Sequence, residues 1–205
     1  MTESWLHDIP ITNLYISSMK DYALSEFAFF LIDDNWDIES LTNLKYKAGA
    51  AFLFGLQTTS KRVNKLDVVD GIIVCNPNEV KQVIEMFEVM SNRQESLVTT
   101  DFDVIKQALQ FREPAQFIQA TATGGNKLDR AKIAINQLIS QIPQSAIVDV
   151  VILRVKTKSD LSIEEYSIIS AAVEEMVTDD ISIWYDISVI DTHEQCEIEA
   201  IYIVK

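Results

Sequence analysis

The stretch from Ile147 to Val204 constrains this chain more than any other. Ile147–Val155 is a nearly continuous apolar run, as expected of a buried strand. Ser162 and Glu165 then stand three residues apart at the head of a helical period, the spacing of a capping box. Ile163, Tyr166, Ile169, Val173 and Met176 follow at helical spacing, which predicts one apolar helix face. Ile181, Ile183, Tyr185, Ile187 and Val189 alternate strictly. Cys196, Ile198, Ala200, Tyr202 and Val204 alternate again, as strands with one buried face do. Three strands around one capped helix predict a mixed sheet.

A further helix precedes this unit. After Thr123-Gly124-Gly125-Asn126, the residues Leu128, Ala131, Ile135, Leu138 and Ile142 fall on one helical face. The C-terminal part therefore reads helix, strand, helix, strand, strand. Upstream, Phe27–Ile32 and Gly71–Cys75 read as buried strands, and Ala48–Leu56 fits strand or helix. The end of the Gly71–Cys75 run is informative. Asn76 can cap, Pro77 suits a first helical position, and Glu79 sits where a capping-box acid belongs. Val80, Val83, Ile84, Phe87 and Met90 continue at helical spacing. Between the two halves, Val104, Ile105, Ala108 and Leu109 predict another helix, stopped by Pro114.

Charge narrows the function classes. A net charge of −14, with seventeen Lys and Arg scattered among thirty-one acids, excludes a phosphate-backbone footprint. Anionic membrane surfaces are disfavoured for the same reason. No apolar run approaches the ~20 residues of a membrane span, and Met1–Trp5 lacks the basic segment of a signal peptide, so a cytoplasmic location is expected. Cys75 and Cys196 lie in apolar or alternating stretches and read as small hydrophobes. His7 and His193 are the only histidines, too few for an ordinary zinc site. No metal is expected.

Several segments, in order, resemble the bacterial tubulin homologue FtsZ. Val68–Val80, "VVDGIIVCNPNEV", resembles the junction of strand and central helix. Val69, Asp70, Ile72, Ile73, Val74, Pro77, Asn78 and Glu79 fit that pattern if Asn76 is one inserted residue. "LVTTDFDVIK" resembles the loop after the central helix, and "GGNKLDRAKIAINQLI" the glycine turn and the helix behind it. "DVVILRVKTKSDLSIEEYSIISAAVEEM" resembles the strand, capping segment and long helix of the C-terminal domain. The resemblance covers residues 68–205. It implies an α/β fold of the tubulin/FtsZ type, with a shortened N-terminal α/β region over 1–95, including the candidate central helix, and a mixed-sheet C-terminal domain over 96–205.

The same resemblance argues against catalysis. FtsZ-type GTPases hold phosphate on a G-G-G-T-G-T-G loop, because glycines let backbone N–H groups close on an anion. Before Val68 this chain has only Gly49 and Gly55, and neither precedes a Lys, so the Walker pattern is absent too. In the family's loop after the central helix, N-x-D-x-x-D supplies acids that help water attack GTP. Thr99 stands at the Asn position, Asp101 at the first acid and Val104 at the second. Asp103 is one residue early, a rotation of about 100° on a helix. Thr100 or Asp101 is thus expected to cap a helix whose positive end the acids favour, with Thr99, Asp101, Phe102 and Asp103 as a possible interaction loop.

Other chemistry is sparse. Ser17-Ser18-Met19-Lys20 matches S-x-x-K without its usual companions. Gly124, Gly125 and Asn126 precede a helix and could hold an anion at its N-terminus, or serve as a turn and cap. Phe29, Phe30, Trp184 and Tyr185 read as core. Glu164-Glu165 and Glu174-Glu175 read as a solvated helix face. The sequence predicts no catalytic residues, no cofactor and no GTP binding. It predicts a protein acting by protein–protein contact in assembly or regulation of a filament, with itself or an FtsZ-type subunit as partner. The alternative is a small-anion-binding or enzymatic α/β domain with a pocket near Gly124-Gly125.

Overall fold

A computed structural model describes residues 11–59, 66–91, 113–190 and 194–204. These form two compact units, one of 11–59, 66–91 and 113–114, the other of 115–190 and 194–204. The expected boundary at 95/96 and the helix expected after Thr100 lie outside the described residues.

The first unit is a parallel sheet in the order β1 (Thr12–Tyr15), β2 (Phe27–Leu31), β3 (Phe52–Gln57), β4 (Gly71–Val74). Helices cover both faces, so its strands read as unbroken apolar runs rather than alternating ones. Helix α1 (Ile38–Lys47) places Leu41 and Leu44 against Ala28, Phe30 and Leu53. On the opposite face Phe87, from α2 (Val80–Ser91), meets Phe27, Phe29 and Phe54 with ring centroids 5.1–5.6 Å apart. Edge-on and tilted geometry of this kind adds to the area buried.

The ambiguous segment Ala48–Leu56 is divided. Ala48 ends α1, and β3 begins at Phe52. Gly49, at φ +62°, lets the chain turn out of the helix. Its N–H donates to Tyr46 O at 3.1 Å and the Ala50 N–H to Lys45 O at 3.0 Å, a Schellman end. Gly55 is a packing glycine, since a Cβ there would lie 2.9 Å from Ile32 Cδ1. At the end of β4 a single 3-10 turn, Pro77–Glu79, leads into α2, and Glu79 accepts the Asn76 N–H at 2.7 Å.

The second unit begins with a strand that sequence reading passed over, β5 (Ala115–Thr123). It continues through α3 (Lys127–Ile139), β6 (Val148–Thr157), α4 (Ile163–Glu174), β7 (Val177–Val189) and β8 (Gln195–Val204). The strand order is β5-β8-β6-β7, with β8 antiparallel to both neighbours and β6 parallel to β7. The mixed sheet expected from the three C-terminal patterns is present.

Both helices lie on one face of this sheet. Ala131, Ala134, Ile135 and Leu138 of α3 and Ile169 and Val173 of α4 pack on Val151, Leu153, Val155, Ile198 and Ala200. The expected helix stripes are shifted. Leu128 and Ile163, each in the first turn of its helix, are exposed, at 40% and 81%. Glu165, expected in solvent, is buried. Its carboxylate turns back to accept the Ser162 N–H at 2.8 Å, completing the capping box. No described helix is long and apolar enough to cross a membrane.

Candidate functional site

Open parallel α/β sheets bind ligands beyond the carboxyl ends of their strands. In the first unit that edge carries Ser17 after β1 and Asp33–Asn35 after β2. Ser17 Oγ donates to Asp33 Oδ2 at 2.7 Å, and the Asn35 N–H donates to Asp33 Oδ1 at 2.8 Å. Burial works against the charge of Asp33, but these hydrogen bonds outweigh it and hold its carboxyl below the ordinary range. Ser17 is thus engaged by an aspartate rather than by Lys20. Asp37 follows as the cap of α1, and Glu79 stands after β4.

The second unit holds a cavity of about 270 Å³ where β5 and β6 end and α3, α4 and β8 begin. Lys127 and Arg130 line it from α3, and Lys158 and Ser159 from the turn after β6. Arg130 is only 6% exposed. Its Nη1 donates to Gly125 O at 2.7 Å and Gly124 O at 3.4 Å, and stands 3.7 Å from Glu194. Lys127 Nζ donates to Ser159 Oγ at 2.6 Å. Cys196 closes the wall. Burial, reinforced by the nearby Glu165, pushes its thiol up to about 11 against the opposing pull of Arg130. It is a neutral thiol near pH 7, and Cys75, also pushed to about 11 by burial, is another.

A charged ladder occupies the sheet face opposite α3 and α4. Residues of β6 alternate, so Arg154 and Lys156 share this face with Asp186 of β7 and Glu197 and Glu199 of β8. Lys156 Nζ donates to Glu199 and, at 2.9 Å, to Glu197 Oε1. Arg154 stands 3.5 Å from Asp186 and 3.7 Å from Glu199. Burial raises the Glu199 carboxyl above its ordinary value despite Lys156 and Arg154.

Thr99, Asp101, Phe102 and Asp103 lie outside the described residues. Gly124 and Gly125 adopt φ of +75° and +65°, and Asn126 caps α3 by accepting the Asp129 N–H at 2.9 Å. These three make the turn beside the cavity, while the residues after them line it. Phe29 and Phe30 are core, as expected. Lys127, Arg130 and Lys158 were not singled out in the sequence. The signal was there: Lys127 and Arg130 sit in the first turn of α3, where the helix dipole disfavours cations.

No protein-family model matches the chain by sequence, and no curated protein does. Solved structures match by shape. A tryptophan-to-tyrosine mutant of FtsZ from M. jannaschii superposes with a TM-score of 0.65 at 15% identity, covering 88% of this chain and 66% of that one. This is an FtsZ/tubulin-like fold. The empty M. jannaschii FtsZ dimer matches at 0.62 and 14% identity, covering 87% of this chain and 63% of its own. GDP-form protofilaments of TubZ from Bacillus thuringiensis serovar israelensis match at 0.55 and 11%, covering 87% and 59%. The chain thus spans about two-thirds of the FtsZ chain. The FtsZ/tubulin-like fold reaches upstream of the sequence resemblance, because 88% of the chain is more than residues 68–205 contain.

Proposed function

We propose that this chain is a non-catalytic FtsZ/tubulin-like protein that acts by protein–protein contact in the cytoplasm, in assembly or regulation of a cytoskeletal or division filament. The carrying observation is the acidic carboxyl end of its parallel sheet. A nucleotide bound there would set its phosphates near Asp33, Asp34 and Asp37 rather than on a glycine-rich turn. Asp33 stays charged because Ser17 and Asn35 donate to it, so the local field opposes an anion. On this reading the fold serves contact with other subunits rather than nucleotide turnover. The FtsZ dimer and TubZ protofilaments it resembles make a second copy, or an FtsZ-type subunit, the natural partner. The test is phosphate release from GTP by the purified chain. The expected result is release no faster than a buffer blank; release that Asp101→Ala abolishes would overturn the reading.

A further inference from the structure

The cavity of the second unit has a charge opposite to that of the chain around it. Three cations, Lys127, Arg130 and Lys158, face it against two carboxylates, Glu165 and Glu194. One of those carboxylates is already committed, since Glu165 accepts the Ser162 N–H at the start of α4. The other, Glu194, has a side chain 70% exposed and meets Arg130 only at 3.7 Å, so it can swing into solvent. A net positive cavity in a chain of charge −14 concentrates field on a small anion.

The donors are set rather than floppy. Arg130 is buried and anchored through Nη1 on the Gly124 and Gly125 carbonyls, and its remaining N–H groups have no hydrogen-bond partner among the described residues. Lys127 spends one N–H on Ser159 and keeps two, while the Ser159 hydroxyl keeps its own proton to donate. Lys158 has no ion pair among the described residues. The starts of α3 and α4, capped by Asn126 and Ser162, flank the same space. The guanidinium thus holds the glycine turn with one nitrogen and has donors to spare, in a cavity where neither ammonium group has an ion pair among the described residues.

From this geometry we infer that the cavity binds a phosphate dianion, either free or as the head of a small phosphomonoester. A carboxylate would call for the open fork of an arginine, and here part of that fork is held by glycine carbonyls. A phosphate presents three terminal oxygens in different directions. It matches one guanidinium edge and two ammonium point charges arriving from separate elements. A volume of about 270 Å³ leaves room beside the phosphate for a few further atoms, facing Thr157 and Gln195. The inference is independent of the filament reading, because the cavity lies wholly within the second unit.

Isothermal titration of the purified chain with inorganic phosphate, glucose 6-phosphate and acetate at matched ionic strength tests it. Saturable binding of one or both phosphate probes in the millimolar range or tighter is expected, with acetate silent. Tighter binding of glucose 6-phosphate would identify an ester as the ligand, and equal binding the free ion. Lys127→Ala and Lys158→Ala, both exposed and free of core contacts, should each weaken binding by about tenfold. Lys132→Ala, on α3 but outside the cavity, removes the same charge and should leave binding unchanged. Absence of saturable binding of both phosphate probes overturns the inference. So does equal weakening by Lys132→Ala, or acetate binding as well as phosphate.

Discussion

Lys156 and Glu199 are the residues on which the second unit is least tolerant. Both are buried on a sheet face, where an ammonium and a carboxylate lose hydration and regain it through one another, helped by Glu197 and Arg154. Lys156→Met leaves Glu197 without its cation and Glu199 with only the more distant Arg154, at 3.7 Å. Denaturant unfolding should show a loss of about 3–5 kcal/mol, the cost of stranding a buried charge. The double variant Lys156→Met/Glu199→Leu removes both charges and should regain most of that loss, a coupling that two independent surface residues would not show. The pH dependence follows from the raised Glu199 carboxyl. The folded state holds this proton to a higher pH than the unfolded state does. Its contribution to stability is therefore full below the ordinary glutamate range and is lost as pH rises through the folded value. Glu199→Gln lacks this titration. Stability measured across that window should fall for the wild type relative to Glu199→Gln as pH rises; a constant difference would mean that Lys156 and Arg154 balance burial, and a rise that they outweigh it.

At the scale of elements, helix ends carry much of the local specification. Gly49 takes a left-handed conformation at the end of α1, and a Cβ there would meet only Leu24, at an unstrained 3.6 Å. Gly49→Ala should therefore cost about 1–2 kcal/mol of backbone strain and nothing in packing. Thermal unfolding would register it as a lowered midpoint with native circular dichroism. The same ends decided what could be read beforehand. Asn76-Pro77-Glu79 and Ser162-Glu165 announce α2 and α4 because capping chemistry is local and needs no tertiary context. Strands β6, β7 and β8 were legible because their periods of burial follow the sheet. Helix α1 was not, since its cap pairs Asp37 with Ser40 and its apolar face is little more than Leu41, Leu44 and Ala48. Strand β1 has four residues of mixed polarity. Strand β5 hid because its helix-facing side is Ile118 followed by two alanines, Ala120 and Ala122, which let α3 approach but give little hydropathy contrast with the threonines between and after them. The cavity was half legible. The Gly124-Gly125 turn lies beside the cavity without lining it, and Arg130 and Lys158 come together there only when β5, β6 and two helix starts converge.

At the scale of the whole molecule, the proposed function bears on how a filament of FtsZ-type subunits ends. Head-to-tail contacts are heterologous, so each subunit needs two different competent surfaces for the filament to continue. A subunit with one competent surface adds to an end and stops growth. On the proposed function, the carboxyl end of the parallel sheet, where Ser17 and Asn35 hold Asp33 charged, is the surface that would not serve a nucleotide-dependent contact. That is the asymmetry expected of a terminator. The net charge of −14 slows encounter with an acidic partner at low salt without forbidding contact, so the effect should strengthen as ionic strength rises toward the physiological range. Mixing the purified chain with FtsZ of its own organism and GTP should shorten filaments and lower light scattering at equimolar protein. Unchanged polymer mass and length would remove termination and leave self-association or another partner. Sedimentation of the chain alone as large, GTP-independent polymers would remove it from the other side, by showing that both of its surfaces can be joined.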